Sequence, residues 1–389
     1  MTVRVNKSSF NIREKLSELG RKFGLKGSEL VAAETVQEAR DLVSAGRRNI
    51  FVNGSMQIAQ RATQVTGQTS SGYKTCDRWR INISSLGTWT IDQSTDAPPG
   101  FANSLKLTCT TADASPGTSD NVIVQQRLEG HDLQCLSWGT GSAKDFTISF
   151  YVKSSRTGDA TFTVLNTDNG NIMVSFPYSI TKQNTWEYKT ITVPAYTAGA
   201  FDDDPNRSMQ IEWWLNSGSQ YTGAGTHQTQ WAALSQTERN ASNLAIGREV
   251  NDTWQLAGVQ MEIGRNATDF EHRSYGEELS LCQRYYGKIR LSSQEWIYNE
   301  SSTASHTWWM GYIPFSMRAN PNIDSTDLTG GIGISGLSGT VSSISPATPG
   351  DTPGRVSMRV TMSSNSGTAR AMYHTDGWNG DYMAFDAEM

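Results

Sequence analysis

The residues best suited to acid–base or nucleophilic chemistry lie close together in "DFEHRSYGEELSLCQRYYGK", residues 269–288. Glu277 and Glu278 suggest the carboxylate pair of a glycosidase, and Cys282 suggests a nucleophile. Neighbouring residues on a helix point about 100° apart, so these two carboxylates cannot flank one glycosidic bond. Cys282 has no histidine partner by motif. The stretch is therefore predicted to be structural.

Other residue types that bind metals or catalyse reactions are scattered along the chain. The five histidines stand singly, and the cysteines are spread too widely for a zinc motif: Cys76, Cys109, Cys135 and Cys282. We expect reduced and mostly buried thiols without disulfides. The run Asp202–Asp204 offers oxygen ligands for a hard cation, but three carboxylates in a turn with proline are more typical of a solvated loop. No phosphate loop or HExxH helix is present, so no cofactor, metal or catalytic residue is predicted.

Aromatic side chains that point away from the core are the best candidates for ligand binding. In "QIEWWLN" successive side chains face opposite ways, so one indole leaves the core, and the alternation assigns this position to Trp214. Tyr151 points outward by the same argument. Sugars stack their apolar C–H faces on such rings, whereas burial under a loop or at a subunit interface is the alternative.

A second group of candidates lies in "YHTDGWNGDY", residues 373–382. Two turn signals, Asp-Gly and Asn-Gly, surround an indole there, and an indole on a tight surface turn is costly unless something covers it. The glycan-binding candidates of this stretch are Tyr373, Asp376, Trp378 and Asn379.

The elements that must position these residues are mostly β-strands. Period-two alternation recurs in "DFTISFYVKSS", "SMQIEWWLNS", "AGVQMEIG" and "RVSMRVTM". The third of these is predicted to bury Ala257, Val259, Met261 and Ile263. Many short strands with one polar face, separated by polar turns, are typical of antiparallel sandwiches. The predicted fold class is mainly β.

Two regions are predicted to be helical instead. Residues 1–48 read as a helical N-terminal arm, with a capping box at Asn11 and Glu14 and a second helix that closes at Gly46. Neither apolar stripe is wide enough to fold alone, so the arm is expected to pack on its own body, on sister subunits or on a docking partner.

A short connecting helix is predicted for residues 276–287, between two glycines. It would join a jelly-roll β-sandwich of residues 49–275 to a smaller C-terminal β-sandwich of residues 288–389. Its acidic start and basic end suit the helix dipole.

Composition argues against several classes of partner. A length of 389 residues exceeds one ordinary core, so several domains are expected. The formal net charge of -5 provides no basic field for phosphate backbones, which argues against nucleic acid. No stretch approaches the roughly 18 consecutive apolar residues of a membrane span. The N-terminus lacks the apolar run of a secretory signal.

Long motifs resemble a known module. The stretches "RNIFVNGSMQIAQR", "DRW" and "QLAGVQMEIGRNATDFEHRSYGEELSLCQRYY" resemble a module of tail fibres and other virion appendages of bacteriophages, marine ones especially. The opening "MTVRVNKSSFNIREKLSEL" is similar to the leader of such proteins, and "FDAEM" to their C-termini. The resemblance covers residues 1–20 and about 48–287.

The resemblance implies a jelly roll akin to carbohydrate-binding modules and a place on the virion after assembly in the host bacterial cytoplasm. Such jelly rolls commonly carry, in their final strand, an Asp that helps to hold calcium. Here Ala257 and Gly258 occupy that strand, so calcium is not expected.

The predicted function is that of a virion structural protein, a tail-fibre or appendage subunit that contributes to adhesion to host-surface glycans. A homotrimer is expected because fibre-like virion proteins use threefold symmetry. The expected partners are other virion proteins and a host polysaccharide, not nucleic acid or membrane. An architectural connector or decoration protein without receptor contact is the main alternative, and a capsule-degrading glycan hydrolase is a lesser one.

Overall fold

The computed structural model describes residues 47–290, 299–303, 306–312, 315–319, 321–324, 332–335, 341–347, 355–362, 371–374 and 382–389. The chain divides into two units, Met1–Arg48 and Asn49–Met389. The predicted helical arm, residues 1–48, lies outside the described residues except for Arg47 and Arg48. The second unit is mainly β and contains sandwiched sheets, which confirms the predicted fold class.

Six antiparallel strands, numbered in chain order, form the first sheet of the sandwich. From one edge to the other they are β1 (Gln64–Gln68), β4 (Thr88–Ser94), β5 (Ser104–Thr111), β13 (Thr253–Ile263), β7 (Phe146–Ser154) and β10 (Glu187–Val193). Strand β13 runs through the middle of this sheet and carries a bulge between Ala257 and Gln260, where its pairing with β7 shifts.

Seven antiparallel strands form the second sheet. In spatial order they are β12 (Ala232–Ala233), β9 (Ile172–Ile180), β8 (Gly158–Asn166), β11 (Arg207–Ser217), β6 (Asn121–Glu129), β3 (Arg80–Ser84) and β2 (Gly72–Tyr73). Strand β11 lies at the centre and pairs with both β6 and β8.

The inner faces of the two sheets meet in one hydrophobic core. The alternation predicted for β7 and β11 is observed, since Phe150 and Trp213 lie in this core and are fully buried. Their ring centroids are 5.7 Å apart in an edge-to-face arrangement, and Phe162 of β8 lies 5.1 Å from Trp213. Edge-to-face contact is a favoured geometry for aromatic pairs, so these rings fix the distance between the sheets.

Three short α-helices interrupt the described strands: α1 (Gly130–Leu133), α2 (Ser219–Thr222) and α3 (Tyr275–Gln283). Single 3-10 turns occur at Gln134–Leu136 and Gln236–Glu238. Helix α3 begins after Ser274, whose side chain accepts a hydrogen bond from the Glu277 N–H and caps the helix.

Helix α3 is shorter than the predicted helix of residues 276–287. It ends at Gln283, and Gly287 lies inside a strand, β14 (Tyr286–Arg290). A Cβ at Gly287 would lie 2.1 Å from the Phe315 ring, so this glycine permits close packing and does not stop a helix.

The motif "RNIFVNGSMQIAQR" contributes to a buried polar network. The Asn49 side chain donates to Val259 O at 3.0 Å, and its oxygen accepts from the Met261 N–H at 3.0 Å. The Asn53 N–H donates to the Glu278 carboxylate. These bonds hold the segment against β13 and helix α3, so the motif residues serve the fold.

The later strands form three smaller antiparallel sheets. Strand β14 pairs with β22 (Tyr382–Asp386), which also pairs with β17 (Asn322–Asp324). A four-stranded sheet contains β15 (Asn299–Thr303), β16 (His306–Tyr312), β20 (Arg355–Met362) and β19 (Val341–Ala347). The third sheet pairs β18 (Ile332–Ser335) with β21 (Ala371–His374).

Residues 384–389, at the end of the sequence, are bound to the jelly roll by two ion pairs. The buried Arg78 guanidinium forms an ion pair with Glu388 and lies over the Tyr285 ring, 3.3 Å from its centroid. Arg61 forms a second ion pair with Asp386 at 3.0 Å. The two contacts fasten residues 384–389 to the jelly roll.

Three of the four thiols, those of Cys76, Cys109 and Cys282, are buried, and Cys135 is exposed. All four are unbridged. In the part of the chain that the structure describes, no helix has the length and apolar character of a membrane span.

Candidate functional site

The outer face of the six-stranded sheet carries five neighbouring rings, here called the aromatic platform: Phe101, Tyr151, Tyr188, Phe270 and His272. Tyr151 of β7 pairs directly with Tyr188 of β10, and their ring centroids lie 5.0 Å apart with planes inclined at 50°. Tyr188 is 46% exposed, while Tyr151 is partly buried. Tyr151 is a sequence-predicted candidate, and it lies on the predicted outward face.

Two loops complete the platform. Phe101 lies 5.7 Å from Tyr151, measured between ring centroids, and 4.9 Å from Phe270 in an edge-to-face contact. His272, which is exposed, lies 5.2 Å from Phe101 and 4.9 Å from Phe270. The rings therefore form one continuous surface that extends from the edge strand β10 across β7 and β13.

The bulge in β13 makes room for this surface. Gly258 has a φ of +58°, and a Cβ there would lie 2.6 Å from the Phe101 ring. Because of the bulge, Ala257 pairs with Tyr151 on the outer face, although Val259 and Met261 face the core. Ala257 is fully buried, as predicted, but it lies on the opposite side of the sheet from Val259 and Met261, since one extra residue reverses the alternation.

Polar groups lie beside the platform, around Asp96. Its carboxylate accepts hydrogen bonds from Lys153 at 2.7 Å, Gln255 at 3.2 Å and Trp186 at 3.3 Å. Burial raises the pKa of Asp96, but these hydrogen bonds outweigh it and hold the pKa below its usual value. Lys153 lies two residues after Tyr151, so a charged pair and an indole border the rings.

This arrangement suits a sugar. Flat rings offer the apolar surface on which the C–H face of a pyranose stacks, and the amide, ammonium and carboxylate groups nearby can bond to its hydroxyls. Binding sites that combine aromatic walls with a few placed polar groups are the common form for small ligands.

Trp214 lies on the outer face of the seven-stranded sheet, outside the main core, as the alternation predicts. It is nevertheless fully buried, because Tyr221 and the Arg239 guanidinium cover it at 5.0 and 5.1 Å from its ring. Its Nε1 donates to Glu212 at 3.1 Å. The loop of residues 218–246 thus occupies the ring face that a sugar would need. Trp214 is therefore an outward indole buried under a loop and is not available for stacking.

The remaining sequence candidates are not brought to either surface by any described contact. Tyr373 lies in β21, for which the backbone alone is described, and Asp376, Trp378 and Asn379 lie outside the described residues. Glu278 is buried and bonded to Asn53 and Arg273, as a structural residue would be.

No metal site is found where the sequence offered one. Asp203 lies 2.8 Å from His131 on the surface, and Asp204 accepts from its neighbour Asn206. No group of three or more His, Cys, Asp or Glu side chains among the described residues is arranged to hold a metal ion.

Sequence patterns did not identify four residues of the platform: Phe101, Tyr188, Phe270 and His272. Tyr188 could have been predicted, because "EYKTITV" alternates and places Tyr188 on the opposite face of the strand from Ile191 and Val193, which are buried. The other three come from loops, and no local pattern signals that they meet.

No protein-family profile matches the chain, and no curated protein sequence matches it. Solved structures that match part of the chain include an enzymatically active domain of tailspike protein 4 from bacteriophage CBA120 (13% identity, TM-score 0.29, 55% of this chain and 21% of that chain). They also include the family 11 carbohydrate-binding module from Clostridium thermocellum (13%, 0.26, 54% and 98%). A third is the CBM22-1 xylan-binding domain from Paenibacillus barcinonensis Xyn10C (12%, 0.26, 54% and 100%). The chain thus spans about a fifth of the tailspike chain.

Proposed function

We propose that the protein is a bacteriophage virion structural protein, a tail-fibre or appendage subunit that contributes to adhesion to host-surface glycans. The observation that carries the binding role is the aromatic platform, in which the partly buried Tyr151 and the exposed Tyr188 continue into three further rings. The virion role rests on the sequence motifs that resemble phage appendage proteins.

The contiguous aromatic surface of the platform favours a binding role. Single exposed apolar residues are normal on a soluble protein, but contiguous aromatic surface with polar groups at its border is typical of a binding site. Tyrosine suits this use because its two side-chain torsions lose little entropy on binding while its ring buries a large area.

The test is binding of the purified full-length protein to host cells and to polysaccharide extracted from them. We expect saturable binding, and we expect the double variant Tyr151→Ala/Tyr188→Ala to lose most of it while retaining the melting temperature of the body within a few degrees. The double variant Tyr275→Ala/Val250→Ala provides the control, since both residues are exposed and neither belongs to the platform. Unaltered binding by the platform variant would refute the assignment.

The architectural alternative uses the same rings differently. If the protein is a connector or decoration protein, the platform packs against a neighbouring virion subunit and touches no host molecule. Cryo-EM of the intact virion separates the two, because an adhesin is expected at a distal position with the platform in solvent. A platform covered by another virion protein would favour the connector.

The proposal includes a homotrimer and no catalytic activity. Light scattering of the purified protein is expected to give three times the chain mass of 42.8 kDa. Incubation with host capsule is expected to release no new reducing ends. Release of reducing ends would support the glycan-hydrolase alternative instead.

A further inference from the structure

The outer face of the seven-stranded sheet carries a second polar surface, here called the arginine face: Arg80, Gln125, Arg127, Arg207 and Gln210. Gln125 of β6 pairs with Arg80 of β3, and Arg127 pairs with Gln210 of β11. Directly paired residues of antiparallel strands point to the same side of the sheet. Arg207 joins them through a 3.2 Å hydrogen bond from its Nη1 to Gln210 Oε1.

The guanidinium groups of this face have mostly neutral partners. Arg127 Nε donates to the same Gln210 oxygen at 3.1 Å, and Arg80 donates to the Asn82 amide oxygen at 3.0 Å. Arg127 also donates to an oxygen of Met389, the last residue of the sequence, and this contact is the exception among the neutral partners. Within the described part of the chain, none of these three arginines forms an ion pair with an Asp or Glu side chain.

Two carboxylates pair with residues of this face, and both are engaged elsewhere. Glu129 pairs with Arg207 across the strands but forms a buried ion pair with Arg284 at 2.5 Å. Glu212 pairs with Gln125 across the strands, but its oxygens accept hydrogen bonds from Gln210 at 2.5 Å, Arg239 at 2.6 Å and Trp214 at 3.1 Å. It therefore serves the loop that covers Trp214, and its single charge offsets only part of the positive charge of the three arginines.

Proximity of like charges makes this face receptive to an anion. Burial lowers the pKa of Arg127 to about 10, and repulsion from Arg80 and Arg207 contributes. Gln125 is 2% exposed, and its side-chain amide has no hydrogen-bond partner among the described residues. A bound anion would relieve the repulsion, and Gln125 could donate to it from the floor of the face.

We propose that the arginine face binds the anionic substituent, a carboxylate or a sulfate, of a charged sugar in the host-surface polysaccharide. Guanidinium groups bind such oxyanions through paired N–H donors, which neutral sugars do not satisfy. This inference rests on the proposed glycan-binding function and adds the class of glycan. The two surfaces lie on opposite outer faces of the sandwich, so they would contact different segments of the polysaccharide. The platform would stack sugar rings, and the arginine face would bind charged substituents.

The experiment uses immobilised polygalacturonate and dextran sulfate, each beside its neutral counterpart, methyl-esterified polygalacturonate and dextran. Binding of the full-length protein is measured by biolayer interferometry at low and high salt. We compare the wild type with Arg80→Gln/Arg207→Gln and with the control Arg248→Gln, which removes an exposed charge outside the arginine face.

We expect the wild type and the control to prefer at least one anionic polymer about tenfold or more over its neutral counterpart, as charge-assisted pairs allow. The double variant should lose that preference, and salt should weaken it in the wild type. Preference for polygalacturonate alone assigns a carboxylate, and preference for dextran sulfate alone assigns a sulfate.

The inference is overturned if the wild type shows no preference, or if the double variant retains it. Should the double variant unfold, the single variant Arg207→Gln gives the same reading, because Arg207 is exposed. Either negative result leaves the proposed function to its own test, since binding of host polysaccharide through the platform is measured with the Tyr151→Ala/Tyr188→Ala variant.

Discussion

Tyr151 and Tyr188 face each other across strands β7 and β10 with their ring centroids 5.0 Å apart, and Tyr188 is almost half exposed. If sugar stacking is the role of this pair, the ring matters and the hydroxyl does not. Tyr188→Phe is expected to retain binding to host polysaccharide, while Tyr188→Ala weakens it several-fold, equivalent to about 1 kcal/mol. Calorimetric titration of both variants checks this, and equal loss in both would indicate that the hydroxyl carries the contact.

Gly258 is expected to control the shape of the platform. Gly258→Ala combines a strained φ with a clash against Phe101, and should lower the free energy of unfolding by about 1–3 kcal/mol. Gly100→Ala is the matched control, because its φ is +90° but no atom lies within 4 Å of the added Cβ. Urea denaturation of the two variants separates the clash from the backbone strain. A loss no larger in Gly258→Ala than in Gly100→Ala would contradict the packing argument.

Local alternation was enough to predict which side of β11 each tryptophan occupies. Trp213 is in the core and Trp214 is on the outer face, as two-residue periodicity requires. The alternation could not predict that Trp214 is covered, because Tyr221 and Arg239 contact it from a loop that shows no local pattern. Alternation assigns a side of the sheet, and solvent exposure depends on what else packs there.

The platform also shows that strand periodicity identifies only part of a surface. Tyr151 was identified from its strand, but Phe101 and Phe270 meet it through sequence separations that no periodicity records. The bulge at Gly258 reversed the predicted side of Ala257, since a strand read as regular cannot reveal one extra residue. The mainly β fold class was predictable because it depends on many short patterns at once.

The ion pair of Arg78 and Glu388 is expected to matter far more than one at the surface. Glu388→Ala leaves a buried guanidinium unpaired and should lower the free energy of unfolding by about 3–5 kcal/mol. Asp203→Ala breaks the exposed pair with His131 and should lower it by less than about 1 kcal/mol. Urea denaturation at neutral pH measures both values. Similar losses would show that residues 384–389 are only loosely held.

Asp77 is expected to make stability depend on pH. Burial raises its pKa to about 6, against hydrogen bonds from Gln60 and the charge of Arg61, which lower it. The native state therefore holds the proton more tightly than the unfolded chain does. The stabilisation is complete below about pH 4 and is lost as pH rises through about 6, with a total of about 3 kcal/mol at most.

The measurement is the difference in free energy of unfolding between wild type and Asp77→Asn, followed from about pH 4 to pH 7. Carboxylates whose pKa is lowered, such as that of Glu187, shift stability in the opposite direction, but they act equally in both proteins and cancel. The wild type should lose stability relative to the variant as pH rises. A difference independent of pH would show that Asp77 does not titrate in this range.

Removal of residues 1–48 is expected to abolish attachment of the protein to the virion and to leave folding of residues 49–389 intact. The division between Arg48 and Asn49 leaves the second unit with its own core, so a chain that begins at Asn49 is expected to fold and to give a β-rich circular dichroism spectrum. If the proposed virion role holds and the arm carries the attachment, virions assembled with the truncated protein should lack it. Its retention on purified particles would show that the β-rich body carries the anchor.

Some contacts of the jelly roll can form only late in synthesis, because they join its first residues to residues 384–389. Arg61 and Asp386 are 325 positions apart in sequence, and Arg78 and Glu388 are 310 apart. The jelly roll cannot pair these groups until residues 384–389 leave the ribosomal exit tunnel, so a nascent chain that already contains the whole sandwich still exposes Arg78 and the face of Tyr285. A chain that is cut short before these residues would keep an unpaired buried charge, and we expect proteases to degrade it faster than the full-length chain.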